Sequence, residues 1–240
     1  MKFALLALVA LASAALAAPA TSTGSCALQC TSPQSFAYQT GKSYVYDYSI
    51  DTSTALVGVA DDDAKLRITA QAHIDVAGPC DFILRVTNVN MEGSSHASEL
   101  AEALSKNALK FSFQDGMIEN ICSDVTEPTW VLNIKRGLLS TFQNTMTQSE
   151  AENVQEKDVS GVCQTHYKTV TEGGIVRVEK ITDLASCSLR PDFPSIISSS
   201  YTTDSPIQNF PLLKTTNKCL QQIQSGILKS VECEEIYQSR

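Results

Sequence analysis

Cys163 and His166, separated by Gln164 and Thr165, are the residues of this chain that come nearest to a nucleophile with its base. A catalytic thiol must be reduced, needs a lowered pKa, and requires an imidazole within reach that a third group orients. The alternation around Cys163 reads as a strand, and positions three apart on a strand point to opposite faces, so the two side chains do not readily meet. No G-x-S-x-G elbow, glycine-rich phosphate loop or H-E-x-x-H occurs, and Asp61-Asp62-Asp63 lack the ordered spacing of a calcium loop. His73, His96 and His166 lie far apart and no two cysteines stand as C-x-x-C, which leaves no zinc-ligand spacing. These residues describe a protein that is not an enzyme and takes no cofactor or metal.

The eight cysteines instead read as disulfides, since the chain carries an export signal and an even count leaves no thiol over. Residues 1–17 form that signal peptide: Lys2, an apolar run from Phe3 to Leu11, then Ala15-Leu16-Ala17 with small side chains before the cut. The run is short of the ~20 apolar residues that span a bilayer, and no transmembrane segment follows. The expected product is secreted and extracellular. Its net charge of -8, one unit more negative once Lys2 leaves, disfavours nucleic acid as a partner. Lys135-Arg136, the one adjacent basic pair, reads as a solvated helix shoulder.

Residues 18–35 form a leader of small and hydroxyl side chains, tethered by Cys26 and Cys30. Period-two alternation begins at Lys42, with Tyr44, Tyr46 and Tyr48 on one face. It is cleanest over 65–77, where Leu66, Ile68, Ala70, Ala72, Ile74 and Val76 share a face and His73 falls on the wet one. Phe82, Leu84 and Val86 continue it after the Gly78-Pro79 turn. A short surface helix is expected within Glu92–Lys106. Leu109, Phe111 and Phe113 then lead to the Asp115-Gly116 hairpin turn and a returning arm, Met117–Cys122. Trp130, Leu132 and Ile134 alternate as in a strand, while Ile134, Leu138, Leu139 and Phe142 recur at helical spacing, so a strand is expected to feed directly into an amphipathic helix. Acidic Thr147–Lys157 reads as a solvent loop, followed by strands near 158–171 and 175–187 around Gly173-Gly174. Ile196–Thr203 makes a further strand, and Lys218–Ser225 and Ile227–Glu235 pair around Gly226. Many short strands with one or two helices predict a single, mainly β domain over 36–240, an antiparallel barrel or sandwich.

Register tests the cysteines. Cys219 and Cys233 stand seven residues either side of Gly226, which sets them opposite one another at disulfide distance. Cys163 and Cys187 flank Gly173-Gly174 with an offset of about three residues, so a bulge or longer loop must bring them together. Cys26, Cys30, Cys80 and Cys122 then allow three connectivities.

The phrase EPTWVLNIKRGLLSTFQNTM, from Glu127 to Met146, closely resembles the signature of the large lipid transfer protein family, which comprises vitellogenins, insect apolipophorins, apolipoprotein B and the microsomal triglyceride transfer protein. The resemblance runs from Phe36-Ala-Tyr-Gln-Thr-Gly-Lys-Ser-Tyr44 through CDFILRV at Cys80 and Asp158-Val-Ser-Gly-Val-Cys163 to the CEE at Cys233, and is nearest to arthropod apolipophorins or apolipophorin-like vitellogenins. It implies a mainly β fold, the amino-terminal N-sheet, in which an antiparallel β-barrel wraps the amphipathic helix bearing Ile134, Leu138, Leu139 and Phe142. The resemblance also supports both of the bridges just described, and implies that Cys26 or Cys30 joins Cys80. Function follows as expectation: lipid transport, with the barrel supporting a lipid cavity and docking a receptor or assembly partner. Relatives continue into a helical arch and further sheets, and a small barrel filled by a helix has little room for bulk lipid. A freestanding secreted interaction or recognition module, acting in clotting or surface recognition without lipid cargo, is the alternative.

Overall fold

The computed structural model describes residues 25–27, 30, 36–54, 64–146, 151–158, 160–188 and 213–239. Signal residues 1–17, Asp61–Asp63 and Ile196–Thr203 lie outside them. Ten strands and two helices run β1 (Ser43–Thr54), β2 (Ala64–Val76), β3 (Asp81–Glu92), α1 (Ala97–Lys106), β4 (Leu109–Gln114), β5 (Met117–Cys122), α2 (Thr129–Phe142), β6 (Ala151–Asp158), β7 (Gly161–Glu172), β8 (Ile175–Ser188), β9 (Leu213–Gln224) and β10 (Ile227–Ser239). They pair antiparallel into two five-stranded sheets, β1-β2-β3-β4-β5 and β10-β9-β8-β7-β6.

The first sheet follows its alternation. Ile68, Ala70, Ala72, Ile74 and Val76 of β2, Phe82, Leu84 and Val86 of β3, and Leu109, Phe111 and Phe113 of β4 are all buried on one face. His73 sits opposite Arg85 on the other face, where its Nε2 lies 2.9 Å from Thr87 Oγ1. Asp115 and Gly116, at φ 49° and 82°, make the tight β4–β5 turn. The helix expected within Glu92–Lys106 is α1, which packs on β3 and buries Leu104.

Two expectations near the chain's middle are corrected. No strand precedes α2: Pro128, at φ −58° and ψ 140°, leads straight into the helix at Thr129. Trp130, Leu132 and Ile134 alternate only by coincidence, because the buried stripe is Val131, Lys135, Leu138, Leu139 and Phe142, which are three or four residues apart. Likewise, the stretch read as a solvent loop, Thr147–Lys157, holds β6, paired with β7 from Ala151↔Lys168 to Asp158↔Gly161. The cause of that misreading is a polar interior: Glu156 of β6, Thr165 and Tyr167 of β7, Lys180 and Thr182 of β8 and Gln221 of β9 are all buried.

Among the described residues no ladder joins the two sheets, so the expected closed antiparallel barrel is not what the strand pairing shows. Isolated contacts hold the sheets together instead. Ala37 N donates to Gly226 O at 2.8 Å, Tyr46 Oη donates to Leu228 O at 3.0 Å, and Asn144 N donates to Gly116 O at 2.8 Å. Phe142 of α2 meets Tyr46 of β1 edge to face with ring centroids 5.0 Å apart.

The disulfides fall within the halves. Cys26–Cys122 and Cys30–Cys80 tie the leader to the first sheet, and Asp81 Oδ1 adds hydrogen bonds from Cys26 N at 2.8 Å and Ala27 N at 3.0 Å. In the second sheet Cys219 lies opposite Cys233 and bonds to it. Cys163 bonds Cys187 where the β7–β8 register shifts, between Val162 opposite Ser188 and Gln164 opposite Asp183.

Candidate functional site

Helix α2 lies between the sheets, and both of its ends are held by unusual chemistry. Midway along the helix, Lys135 is fully buried and reaches back to the approach to its start. Its ammonium forms an ion pair with Glu127 and donates to Asn107 O at 2.6 Å, which pins the helix to the α1–β4 connection. This overturns the reading of Lys135-Arg136 as a solvated shoulder, because only Arg136 reaches the surface, and partly. Glu127 stands two residues before the helix, outside any i,i+4 pattern, so no helical spacing announces it.

The other end needs partners for its last carbonyls, which have no intrahelical donor. Gln221 Nε2 supplies Thr141 O at 2.8 Å and Gln143 O at 2.9 Å, and Lys180 Nζ supplies Gln143 O at 3.2 Å. A cation there also complements the negative end of the helix dipole. Lys180 is paired in turn with Glu156, whose other oxygen accepts from Tyr167 Oη and, at 3.0 Å, from Thr145 Oγ1. Burial, and then the neighbouring Glu156 carboxylate, hold the Tyr167 phenol far above its ordinary pKa, so it remains a proton donor.

Just past the helix, Gln143 crosses the gap between the facing sheet edges. Its Oε1 accepts from Ile118 N of β5 at 3.1 Å, while its Nε2 donates to Lys157 O of β6 at 3.0 Å and to Glu156 Oε1 at 3.1 Å. The side-chain amide thus stands where a peptide unit of a missing strand would stand. Next to it Asn144 Nδ2 donates to Gln221 Oε1 at 3.0 Å. Above this bolt the β5 and β6 edges part to leave a cleft of about 470 Å³, floored by Arg136, Leu139 and Ser140 of α2.

Leu138, Leu139 and Phe142 are buried and Ile134 is partly buried, all within the apolar core that α2 shares with the first sheet. Sequence reading missed Val131 and Lys135 on the same stripe, and it missed Gln143, Glu156, Tyr167, Lys180 and Gln221 altogether. The one available signal was parity: Val178, Lys180 and Thr182 share a face of β8, which places a lysine inward if the valine is inward. Cys163 is bonded to Cys187, and His166 Nδ1 lies 2.9 Å from Asn153 Oδ1, so thiol and imidazole are not a catalytic pair.

The vitellogenin N-terminal domain family matches residues 38–240, and the chain belongs to it. It is 29% identical over 216 residues to the vitellogenin of Penaeus merguiensis, covering 88% of this chain and 8% of that protein. It is 30% identical over 220 residues to the apolipophorins of Locusta migratoria, covering 89% of this chain and 6% of that protein. The chain therefore spans less than a tenth of the length of these relatives. A solved structure described as lipid-protein interactions in lipovitellin superimposes with a TM-score of 0.68 at 22% identity, over 85% of this chain and 23% of that one, which shows a shared fold. The family is one of lipid-transport proteins, not enzymes. No helix among the described residues is long and apolar enough to cross a membrane.

Proposed function

We propose that this chain is the amino-terminal module of a secreted lipid transporter, in which the two sheets and α2 support a lipid cavity and offer a docking face to a receptor or assembly partner. The observation that carries the reading is the family match over 38–240, joined to a fold that spends its buried polar groups on fixing one helix between two sheets. Transport of this kind is non-covalent and works by removing apolar lipid surface from water. On this reading the two sheets act as an open barrel: α2 replaces the closing strands, and residues 18–35 serve as its sulfur-tethered leader. The signal at residues 1–17 exports the module, and cleavage follows Ala17.

Two measurements test this. Secretion of the chain from cultured cells, followed by mass analysis of the amino terminus and solvent extraction, is expected to show a signal-free protein carrying lipid once it is expressed with the sequence that follows Arg240 in the transcript. A transcript that ends at Arg240, with no lipid recovered from the secreted chain, would refute the transport reading in favour of a freestanding interaction module.

A further inference from the structure

Among the described residues the two five-stranded sheets share no ladder, so β1, β5, β6 and β10 are all edge strands, and a bare edge invites another strand. Three of these edges are guarded. The β4–β5 register shifts between Phe111 and Phe113, Asn120 N of β5 turns back to Ser112 Oγ at 2.9 Å, and Gln143 takes Ile118 N. On β6 the same side-chain amide occupies Lys157 O. Along β10 the register shifts between Leu228 and Ser230, Leu228 O is taken by Tyr46, and Glu232, Glu234 and Glu235 stand exposed. Bulges, occupied backbone groups and clustered charge keep foreign strands away.

The β1 edge lacks such guards. It pairs with β2 in unbroken register from Ser43↔Asp75 to Thr54↔Ala64, and it contains no proline, glycine, lysine or arginine. Val76 N donates to Lys42 O at 2.9 Å, and bonded and non-bonded pairs alternate along an antiparallel ladder. The N–H and C=O groups of Ser43, Val45, Asp47, Ser49 and Asp51 therefore point outward. The second sheet comes near the start of β1, where Tyr46 Oη reaches Leu228 O, so the open length begins at Asp47. Its two faces differ. Asp47, Ser49 and Asp51 are exposed on the outer face. Asp47 accepts from the Gln71 amide at 3.4 Å, and Asp51 lies 3.5 Å from Arg67 with both side chains more than half exposed. On the inner face Ile50 is 40% exposed, and Leu66, diagonal to it on β2, is 37% exposed.

We propose that β1 is the docking edge of this module, and that it receives as an added strand an extended segment of a partner protein in which cationic side chains alternate with apolar ones. Bonds to the outward N–H and C=O groups hold the incoming backbone, and the period-two side chains select it. Cations on one side of that segment face Asp47 and Asp51, while apolar side chains on the other extend the strip begun by Ile50 and Leu66. A second copy of this chain is the poorer occupant, because its own β1 brings acids towards acids in a chain of net charge -8. The inference deepens the docking reading above and rests on it only for the existence of a partner; lipid carriage plays no part in it.

The test uses the full secreted chain and its variants, checked by circular dichroism and for intact disulfides, and a short synthetic peptide alternating lysine with valine. Calorimetry is expected to show saturable binding. Hydrogen exchange should show new protection at the amides of Asp47, Ser49 and Asp51, while those of Tyr48 and Ile50, which face β2, stay as they were. The same peptide methylated at its backbone nitrogens should not bind. A peptide alternating glutamate with valine should bind about tenfold more weakly, and Asp47→Lys with Asp51→Lys should reverse that preference. Ser49→Pro removes one outward N–H and no bond to β2, so it should keep the fold and weaken the lysine peptide about tenfold. Absence of binding, binding indifferent to both Ser49→Pro and backbone methylation, or protection appearing on β10 instead of β1 would overturn the proposal. A chain that dimerises in sedimentation until Ser49→Pro is introduced would make a second copy the occupant and overturn the partner named here. A secreted chain that carries no lipid when expressed with its following sequence, yet still binds the peptide, would overturn the transport reading and leave this edge standing.

Discussion

Replacing Gln143 by alanine removes an amide that spans the two sheet edges, and the structure sets the size of the effect. The Ile118 N–H loses its acceptor at a buried position, which costs about 1–3 kcal/mol. Glu156 keeps Lys180, Tyr167 and Thr145 as donors, so its loss of Gln143 adds little. The Lys157 carbonyl borders the cleft, and water entering there takes over part of the vacated polar space. The sum is about 2–3 kcal/mol, which at a urea dependence of ~1–3 kcal/mol per molar lowers the midpoint by about 1 M. Gln143→Glu is the sharper variant. It keeps the volume but sets a second carboxylate against Glu156 and the Lys157 carbonyl, where an uncompensated buried charge costs about 3–5 kcal/mol. Urea unfolding followed by circular dichroism, with the disulfides intact, measures both. An alanine variant within about 0.5 kcal/mol of the parent, the scale of an ordinary surface change, or a glutamate variant as stable as the alanine one, would refute the role given to this amide.

The ion pair at the other end of α2 predicts strong non-additivity. Lys135→Met alone should destabilise by about 3–5 kcal/mol because it strands the Glu127 carboxylate, whereas Lys135→Met with Glu127→Leu should recover most of that loss in the same denaturation assay. Gly116 and Gly174 share nearly the same backbone, φ 82° and 80°, but not the same surroundings. A Cβ at Gly116 would fall 1.6 Å from Asn144 O, while one at Gly174 meets nothing within 4 Å. Gly174→Ala should therefore cost only the left-handed strain of ~1–2 kcal/mol, measurable as a modest midpoint shift. Gly116→Ala should cost several times more or prevent secretion of folded protein.

Legibility divides along the same line as the sheets. In the first sheet the apolar residues face inward, so Ile68 to Val76, Phe82 to Val86 and Leu109 to Phe113 announce strand, face and register together. The second sheet turns Glu156, Thr165, Tyr167, Lys180 and Gln221 inward, and a pattern method that equates charge with water places them outside. Lys180 and Gln221 are inside because they satisfy the carbonyls at the end of α2, Glu156 and Tyr167 because they complete the network around that lysine, and Thr165 faces Thr182, a tertiary need that no local spacing encodes. Lys135 escaped for the same reason, since its counter-charge sits on a loop. The strand read into Trp130–Ile134 shows the converse: five residues satisfy both periods, and only the longer stripe from Val131 to Phe142 decides. Turn chemistry read well at Asp115-Gly116, Gly173-Gly174 and Gly226, but the left-handed Gly41, Gly93 and Gly161 went unread.

Every sulfur crosslink lies inside one leaf of the molecule, and none passes from one leaf to the other. Oxidation therefore toughens each leaf separately and leaves their junction as the line of least resistance. Parting the leaves along that line breaks no disulfide, so reducing agents and mechanical prising should attack the molecule in different places.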